Sequence, residues 1–195
     1  MFQVRIHGRG GQGVVTAAEL LAQAAFFEGR HAQAFPSFGS ERTGAPVVAF
    51  ARIAETPIRV REPVMVPDGI IVQDETLLGA IDVFNGLSPN GYVVLNTTHT
   101  FAELGLHDSL SNEIRVVTVP ATQLAMENLG RPVPNAVLLG AFAALTGVVS
   151  LESVVRAISE RFSNKLATGN SAAATAAFEI VQIQLAKEHG ESAHA

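Results

Sequence analysis

The stretch His7-Gly8-Arg9-Gly10-Gly11-Gln12-Gly13 restricts this chain more than any other, because it sets a glycine-rich turn between a strand pattern and a helix pattern. Before it, Phe2, Val4 and Ile6 alternate with Gln3 and Arg5, the period of a strand with one face more buried than the other. After it, Val14, Val15, Ala18, Leu21, Ala22 and Ala25 recur at the spacing that gives a helix one apolar face. Gly8, Gly10 and Gly13 therefore form G-x-G-x-x-G in the strand–turn–helix context that gives the motif meaning. Glycines let the chain turn tightly and let backbone N–H groups approach a ligand, here at the positive end of a helix dipole. The turn is a ready site for phosphate or pyrophosphate, and Arg9 adds a permanent cation. The same glycines would also allow close strand–helix packing with no ligand at all, and the motif leaves both readings open.

A complete dinucleotide fingerprint needs an acidic residue about 20 positions on, at the end of the second strand, to hold a ribose hydroxyl. Here the second strand reads His31-Ala32-Gln33-Ala34-Phe35 and runs into Pro36-Ser37-Phe38-Gly39. Glu28 falls at the end of the preceding helix, too early for that role. The missing carboxylate counts against a stand-alone NAD(P) or FAD oxidoreductase, which stays as an alternative. A purely structural assembly subunit is another.

At 195 residues the chain reads as one domain, 1–195, with 187–195 as a polar, flexible tail. Hydrophobic residues make up 48% and charged residues only 16%. So little charge suggests that other subunits cover part of the surface. No run of about 18 apolar residues appears, so no membrane span is expected. A formal net charge of −5 gives no reason to expect nucleic acid. There are no cysteines, which excludes disulfides and iron–sulfur clusters ligated by this chain's own thiolates. The chain enters a strand without a secretion signal, making the cytoplasm the expected compartment.

Further along, Gly29 suits the end of the first helix, and a third strand covers Val47–Ile53. No helix fits between the second and third strands, so these two are expected to run antiparallel. Thr56 to Pro67 carries three prolines and reads as extended chain. Buried strands follow at Gly69–Gln73, Tyr92–Asn96 and Ile114–Val119, with Asp74 capping a predicted helix over Glu75–Phe84. Past Pro120 the pattern is helical: Thr122–Leu129, Ala136–Leu145, Leu151–Phe162 with Ser150 as N-cap, and Ser171–Ala186. The alanines at 172–174 favour close packing of helix backbones. The fold expected is α/β: a Rossmann-like, mainly parallel sheet with helices on both faces, some antiparallel strand content and a helical C-terminal third.

Ligands gather at the carboxyl ends of parallel strands. Those ends hold His7–Gly13, Phe35–Arg42, Asp74-Glu75, Asn96–His99 and Pro120–Gln123. The loop Ser37–Thr43, with Glu41 and Arg42, could clamp an anion, dock a partner or simply be solvated. His7 and His99 could converge, but no carboxylate is evidently positioned to support acid–base chemistry. No two of the six histidines have the i, i+4 spacing of a helical metal pair, and no metal site is expected. Neither G-x-S-x-G nor a Walker A lysine is present. No catalytic residue is assigned.

These residues resemble a known family. Gly8-Arg9-Gly10-Gly11-Gln12-Gly13-Val14-Val15, then Ala34-Phe35-Pro36-Ser37-Phe38-Gly39, Glu41-Arg42 and Gly44-Ala45-Pro46-Val47 look like the gamma subunit of 2-oxoacid:acceptor oxidoreductases of the pyruvate:ferredoxin oxidoreductase type. The likeness extends to Asn96 and to Asn135–Ala141, so it covers nearly the whole chain. It implies a complex that oxidatively decarboxylates a 2-oxoacid, pyruvate or an analogue such as phenylglyoxylate, to acyl-CoA, carbon dioxide and electrons for ferredoxin or NAD. It implies thiamine diphosphate and Mg2+ in alpha and beta subunits, and iron–sulfur clusters in beta and a ferredoxin-like delta. A flavin/NAD subunit is left open. On this resemblance no cofactor is held by this chain alone, and coenzyme A is a co-substrate at its edge. Gly8, Arg9, Gly10, Gly11, Gln12 and Gly13 would face coenzyme A phosphates or a neighbouring subunit. Ser37, Glu41 and Arg42 would line the cleft, with Asn96 at the fifth strand.

Overall fold

A computed structural model describes residues 1–37, 43–106 and 110–192. Strand β1 (Phe2–Arg9) leads through the glycine turn into α1 (Val14–Phe27), followed by β2 (His31–Pro36) and β3 (Pro46–Ala54). Then come β4 (Gly69–Val72), a 3-10 turn (Glu75–Leu77), β5 (Tyr92–Asn96) and β6 (Arg115–Val119). Four helices close the chain: α2 (Ala121–Leu129), α3 (Asn135–Thr146), α4 (Leu151–Arg161) and α5 (Asn164–Ser192). Among the described residues no helix is long and apolar enough to cross a membrane.

The strands form one mixed sheet in the order β2-β3-β1-β4-β5-β6. β1, β4, β5 and β6 are parallel, while β3 runs antiparallel to both β1 and β2. The direct β2–β3 connection forces that reversal, since too few residues separate them for a crossover helix.

Side-chain alternation divides the sheet into two faces. Val4, Ile6, Ala49, Ala51, Ile71, Val94 and Val117 pack into one cluster with residues of all five α-helices. On the opposite face Ile70, Val72, Val93 and Leu95 pack against Leu77, Val83 and irregular turns. Among the described residues the helical part of that covering is the 3-10 turn, where the sequence predicted a helix over Glu75–Phe84. Asp74 does cap it, accepting the Thr76 amide at 3.0 Å. Propagation stops because Leu77, Val83 and Phe84 reach that face of the sheet from successive turns rather than from one helix stripe.

Two arginines sit among apolar neighbours on this second face. Arg52 is 1% exposed; it donates to the carbonyls of Val60 and Glu62 and stacks on Phe35 at 5.0 Å. Arg5 donates to the carbonyls of Val83 and Asn85 and, through Nε, to His7 Nε2 at 3.0 Å. Each guanidinium fastens a segment without regular structure to the sheet, supplying hydrogen bonds that secondary structure does not.

On the first face α3 is buried almost throughout, as its unbroken apolar sequence requires. It crosses α5 at backbone contact: a Cβ on Gly140 would stand 1.9 Å from the Ala174 carbonyl oxygen. Ala173, Ala174 and Ala177 are fully buried there, in line with the alanine pattern. α5 starts at Asn164, ahead of the expected Ser171, and continues past Ala186 to Ser192. Gly169 does not interrupt it, because that glycine is where α5 meets the Asn128 carbonyl at the end of α2.

Candidate functional site at the carboxyl ends of the strands

The glycine turn is shaped by contacts on both sides. A Cβ on Gly8 would come within 2.6 Å of Val14 Cγ2, so strand and helix approach only because that atom is missing. Gly13 is the N-cap of α1 at φ 72°, and a Cβ there would meet Asn135 Nδ2 at 2.4 Å. Asn135 in turn donates to the Gly13 carbonyl at 3.4 Å and accepts from Ala136 N–H at 2.8 Å, tying the starts of α1 and α3 together. Packing thus explains Gly8 and Gly13, while the amides of the next turn are left for something else. α1 has no side-chain cap and no acidic residue in its first turn. Arg9, Gly11, Gly13, Val14, Thr16 and Val47 surround a hollow of about 320 Å3 at that end.

Arg9 does not point freely at this hollow. Its guanidinium donates to the Gly44 carbonyl at 3.0 Å and to Thr76 Oγ1 at 2.7 Å, and lies 3.3 Å from Asp74 Oδ2. Gln12 completes the lattice. Its Oε1 accepts from Arg9 N–H and its Nε2 donates to Asp74 Oδ2, each at 2.8 Å. Burial alone would raise the Asp74 carboxyl, but the Thr76 hydroxyl and amide, the Gln12 amide and Arg9 together hold it below the usual carboxylate range. The charge of Arg9 is met within the chain, so the turn presents amides rather than a bare cation.

A second hollow, of about 280 Å3, opens on the other side of the turn, walled by the ends of β4, β5 and β6. Its residues include Gln12, Gln73, Asp74, Glu75, Thr97 and Thr122. Asn96 braces it: Nδ2 donates to the Gln73 carbonyl at 2.8 Å and Thr122 Oγ1 at 2.7 Å, while Oδ1 accepts from Thr122 N–H at 3.1 Å. Asn96 is therefore a bracket between β4 and α2. Ser37 lies exposed at the end of β2, its N–H bonded to the Val48 carbonyl at 2.8 Å. Glu41 and Arg42 lie outside the described residues.

The two strand-end histidines have no shared partner. His7 turns toward Arg5 on the face away from α1, whereas His99 Nδ1 stands 3.5 Å from Glu75 Oε2 at the exposed rim. Burial, reinforced by Arg5, pushes the His7 imidazole down to about 4. The sequence places the glycine turn, Asp74 and Asn96 at the strand ends, with Asp74 also as a helix cap. It does not show that Gln12 and Asp74, 62 residues apart, meet, or that Gln73 buries its amide beside Gly8.

Comparison with known proteins agrees with this architecture. The family described as pyruvate ferredoxin/flavodoxin oxidoreductase matches residues 3–180. The pyruvate synthase subunit PorC of Methanothermobacter marburgensis is 51% identical over 92% of this chain and 97% of its own. The pyruvate/ketoisovalerate oxidoreductases common subunit gamma of Pyrococcus abyssi is 48% identical over 94% of this chain and 98% of its own. A crystal structure of the pyruvate oxidoreductase subunit PORC of Thermotoga maritima superposes with a TM-score of 0.79 at 37% identity, covering 91% of this chain and 95% of that one.

Proposed function

The chain belongs to the pyruvate ferredoxin/flavodoxin oxidoreductase family, as a subunit of the gamma type, and from that premise we propose that it supports the coenzyme A side of a multisubunit 2-oxoacid oxidoreductase in the cytoplasm. The reaction is oxidative decarboxylation of pyruvate, or of an aryl or branched analogue, to acyl-CoA, carbon dioxide and electrons for ferredoxin or NAD. Alpha and beta subunits supply thiamine diphosphate with Mg2+, and a ferredoxin-like delta shares the iron–sulfur clusters with beta.

The residues of this chain do not suit those groups. It has no cysteine, and among the described residues no set of three or more His, Asp or Glu side chains could hold a metal. No step of the reaction is routed through a metal or cluster here. Its own contribution is binding and orientation. The observation that carries this reading is the uncapped first turn of α1, whose amides face an open hollow with Gly13 as N-cap and no acidic side chain nearby in the helix. Such a turn favours a phosphate through its dipole and its unbonded N–H groups.

Thr16→Glu tests this in the reconstituted complex, since Thr16 lines the hollow within that first turn. A carboxylate there complements the helix dipole and stabilises the subunit by about 0.3–1 kcal/mol, yet it repels an incoming phosphate. The coenzyme A KM rises roughly 5–30-fold, the equivalent of about 1–2 kcal/mol, while kcat with saturating coenzyme A changes little. An unchanged KM in the assembled complex refutes the ligand role and leaves the turn a packing device.

A further inference from the structure

Asn-Gly occurs twice in this chain, at Asn85-Gly86 and Asn90-Gly91, both on the connection between β4 and β5. A glycine carries no side chain to keep its amide from the preceding asparagine carboxamide, so either dipeptide can close on itself chemically. The structure treats the two differently. Gly91 is buried; its N–H donates to the Ser88 carbonyl at 2.9 Å and its carbonyl accepts from Arg115 N–H at 3.0 Å. Asn85 and Gly86 are both exposed, and neither the Asn85 carboxamide nor the Gly86 N–H has a hydrogen-bond partner among the described residues. Glycine is nevertheless the residue this turn requires. Gly86 has φ 74°, and a Cβ there would run into the Met65 carbonyl oxygen. The susceptible dipeptide is built into the turn.

Arg5 supplies a second observation. From β1 its guanidinium donates to the main-chain carbonyl oxygen of Asn85, whereas nothing among the described residues donates to the carbonyl of Asn90. A cation on that oxygen draws electrons from the peptide group, which makes the Gly86 N–H easier to deprotonate and the carbonyl carbon easier to attack. We propose that Asn85 is a site of spontaneous isoaspartate formation, directed by Arg5. The Gly86 nitrogen, on losing its proton to water, attacks Asn85 Cγ; a new C–N bond forms, the Cγ–Nδ2 bond breaks and ammonia leaves. Water then opens the resulting succinimide at the main-chain carbonyl carbon, where Arg5 stabilises the oxyanion. The bond from that carbon to nitrogen breaks, and the chain now runs through Cβ and Cγ. The freed α-carboxylate stays on Arg5 as an ion pair, in place of a neutral carbonyl. One methylene thereby enters the backbone of the turn that seats Val83 and Phe84 on the second face of the sheet.

The full-length subunit, aged at mildly alkaline pH in native buffer and in urea, tests this by electron-transfer fragmentation, which locates each deamidated residue and tells isoaspartate from aspartate. In native buffer Asn85 is lost about tenfold or more faster than Asn90, because the Gly91 N–H is freed only by local opening. In urea the two rates agree within about threefold, since no structure distinguishes the dipeptides. The isoaspartate-to-aspartate ratio at Asn85 is about threefold or more higher in the native protein than in urea, where Arg5 no longer touches the carbonyl. Arg5→Met lowers the native ratio to the urea value; the wild-type comparison stands without it should that variant fail to fold. Equal native rates at the two sites, no native loss at Asn85 while the urea sample reacts, or a native product ratio at or below that in urea overturns the inference.

Discussion

Lowering the pH from 8 to 5 should destabilise this protein through His7 alone by about 2 kcal/mol. His7 lies in β1 with 4% of its surface exposed, and its Nε2 accepts a hydrogen bond from Arg5 Nε at 3.0 Å. That bond requires an unprotonated Nε2, so the neutral ring keeps its one proton on Nδ1, which has no partner among the described residues. Protonation would break the bond and set two cations side by side in a dry site. The imidazole is accordingly held down at about 4, first by burial and then by Arg5, against about 6.5 in an unfolded chain. A group whose folded value is depressed leaves stability intact above the unfolded value and erodes it as pH falls. The loss begins near 6.5 and levels off below about 4, where it reaches about 3 kcal/mol. At pH 5 the unfolded imidazole is mostly charged and the folded one mostly neutral, which gives the smaller figure. In a chain of this size it corresponds to a fall of about 4–8 °C in Tm. Urea unfolding of wild type and His7→Gln at both pH values measures it, because glutamine keeps an acceptor for Arg5 but cannot titrate. The variant should lose about 2 kcal/mol less stability than wild type over that interval. Parallel losses in the two proteins, or a His7 NMR resonance titrating near 6.5, would refute the reasoning.

Other features make separate predictions. Asp74→Asn should cost about 1–2 kcal/mol at neutral pH, from the weakened bonds to Arg9, Thr76 and Gln12, and the variant should show a smaller stability loss than wild type as pH falls below about 4 in urea titrations. Gly140→Ala should lower stability by more than about 2 kcal/mol in thermal unfolding, since the methyl group meets the Ala174 carbonyl and two helices must separate. Ser150→Ala removes the cap that accepts from Ser153 N–H at 3.1 Å and should cost about 1 kcal/mol by the same measurement. Arg52→Met should speed trypsin cleavage after Arg59 and Arg61 about tenfold or more, because the carbonyls of Val60 and Glu62 lose the guanidinium that holds that segment to the sheet. An unchanged cleavage rate would show that other contacts fix it.

Local signals in the chain determined much of this protein. Period-two alternation around Val4 and Ile6, the glycine turn and the helical spacing after it fixed β1, the turn and α1, because each depends on residues within a few positions of one another. The antiparallel β2–β3 pair followed from the lack of room for a crossover, and the Ser150 cap from its place before an apolar run. The buried alanines of α5 foretold close helix packing, though not that Gly140 would be the partner. Tertiary structure alone decided the rest. Glu75–Phe84 has capping and length enough for a helix, yet the second face of the sheet draws its apolar residues into successive turns. Arg5 and Arg52 look like exposed strand residues by period, but each holds a segment that lies outside the strands and α-helices. Arg9 reads as a free cation beside phosphate-binding glycines until β4 brings Asp74 against it. The same approach of β4 to β1, across more than sixty residues of sequence, buries Gln73 with its amide unpaired. Local periodicity carries no information about which distant strand end arrives beside the turn. The charge and hydrogen bonding of the site are set by that arrival.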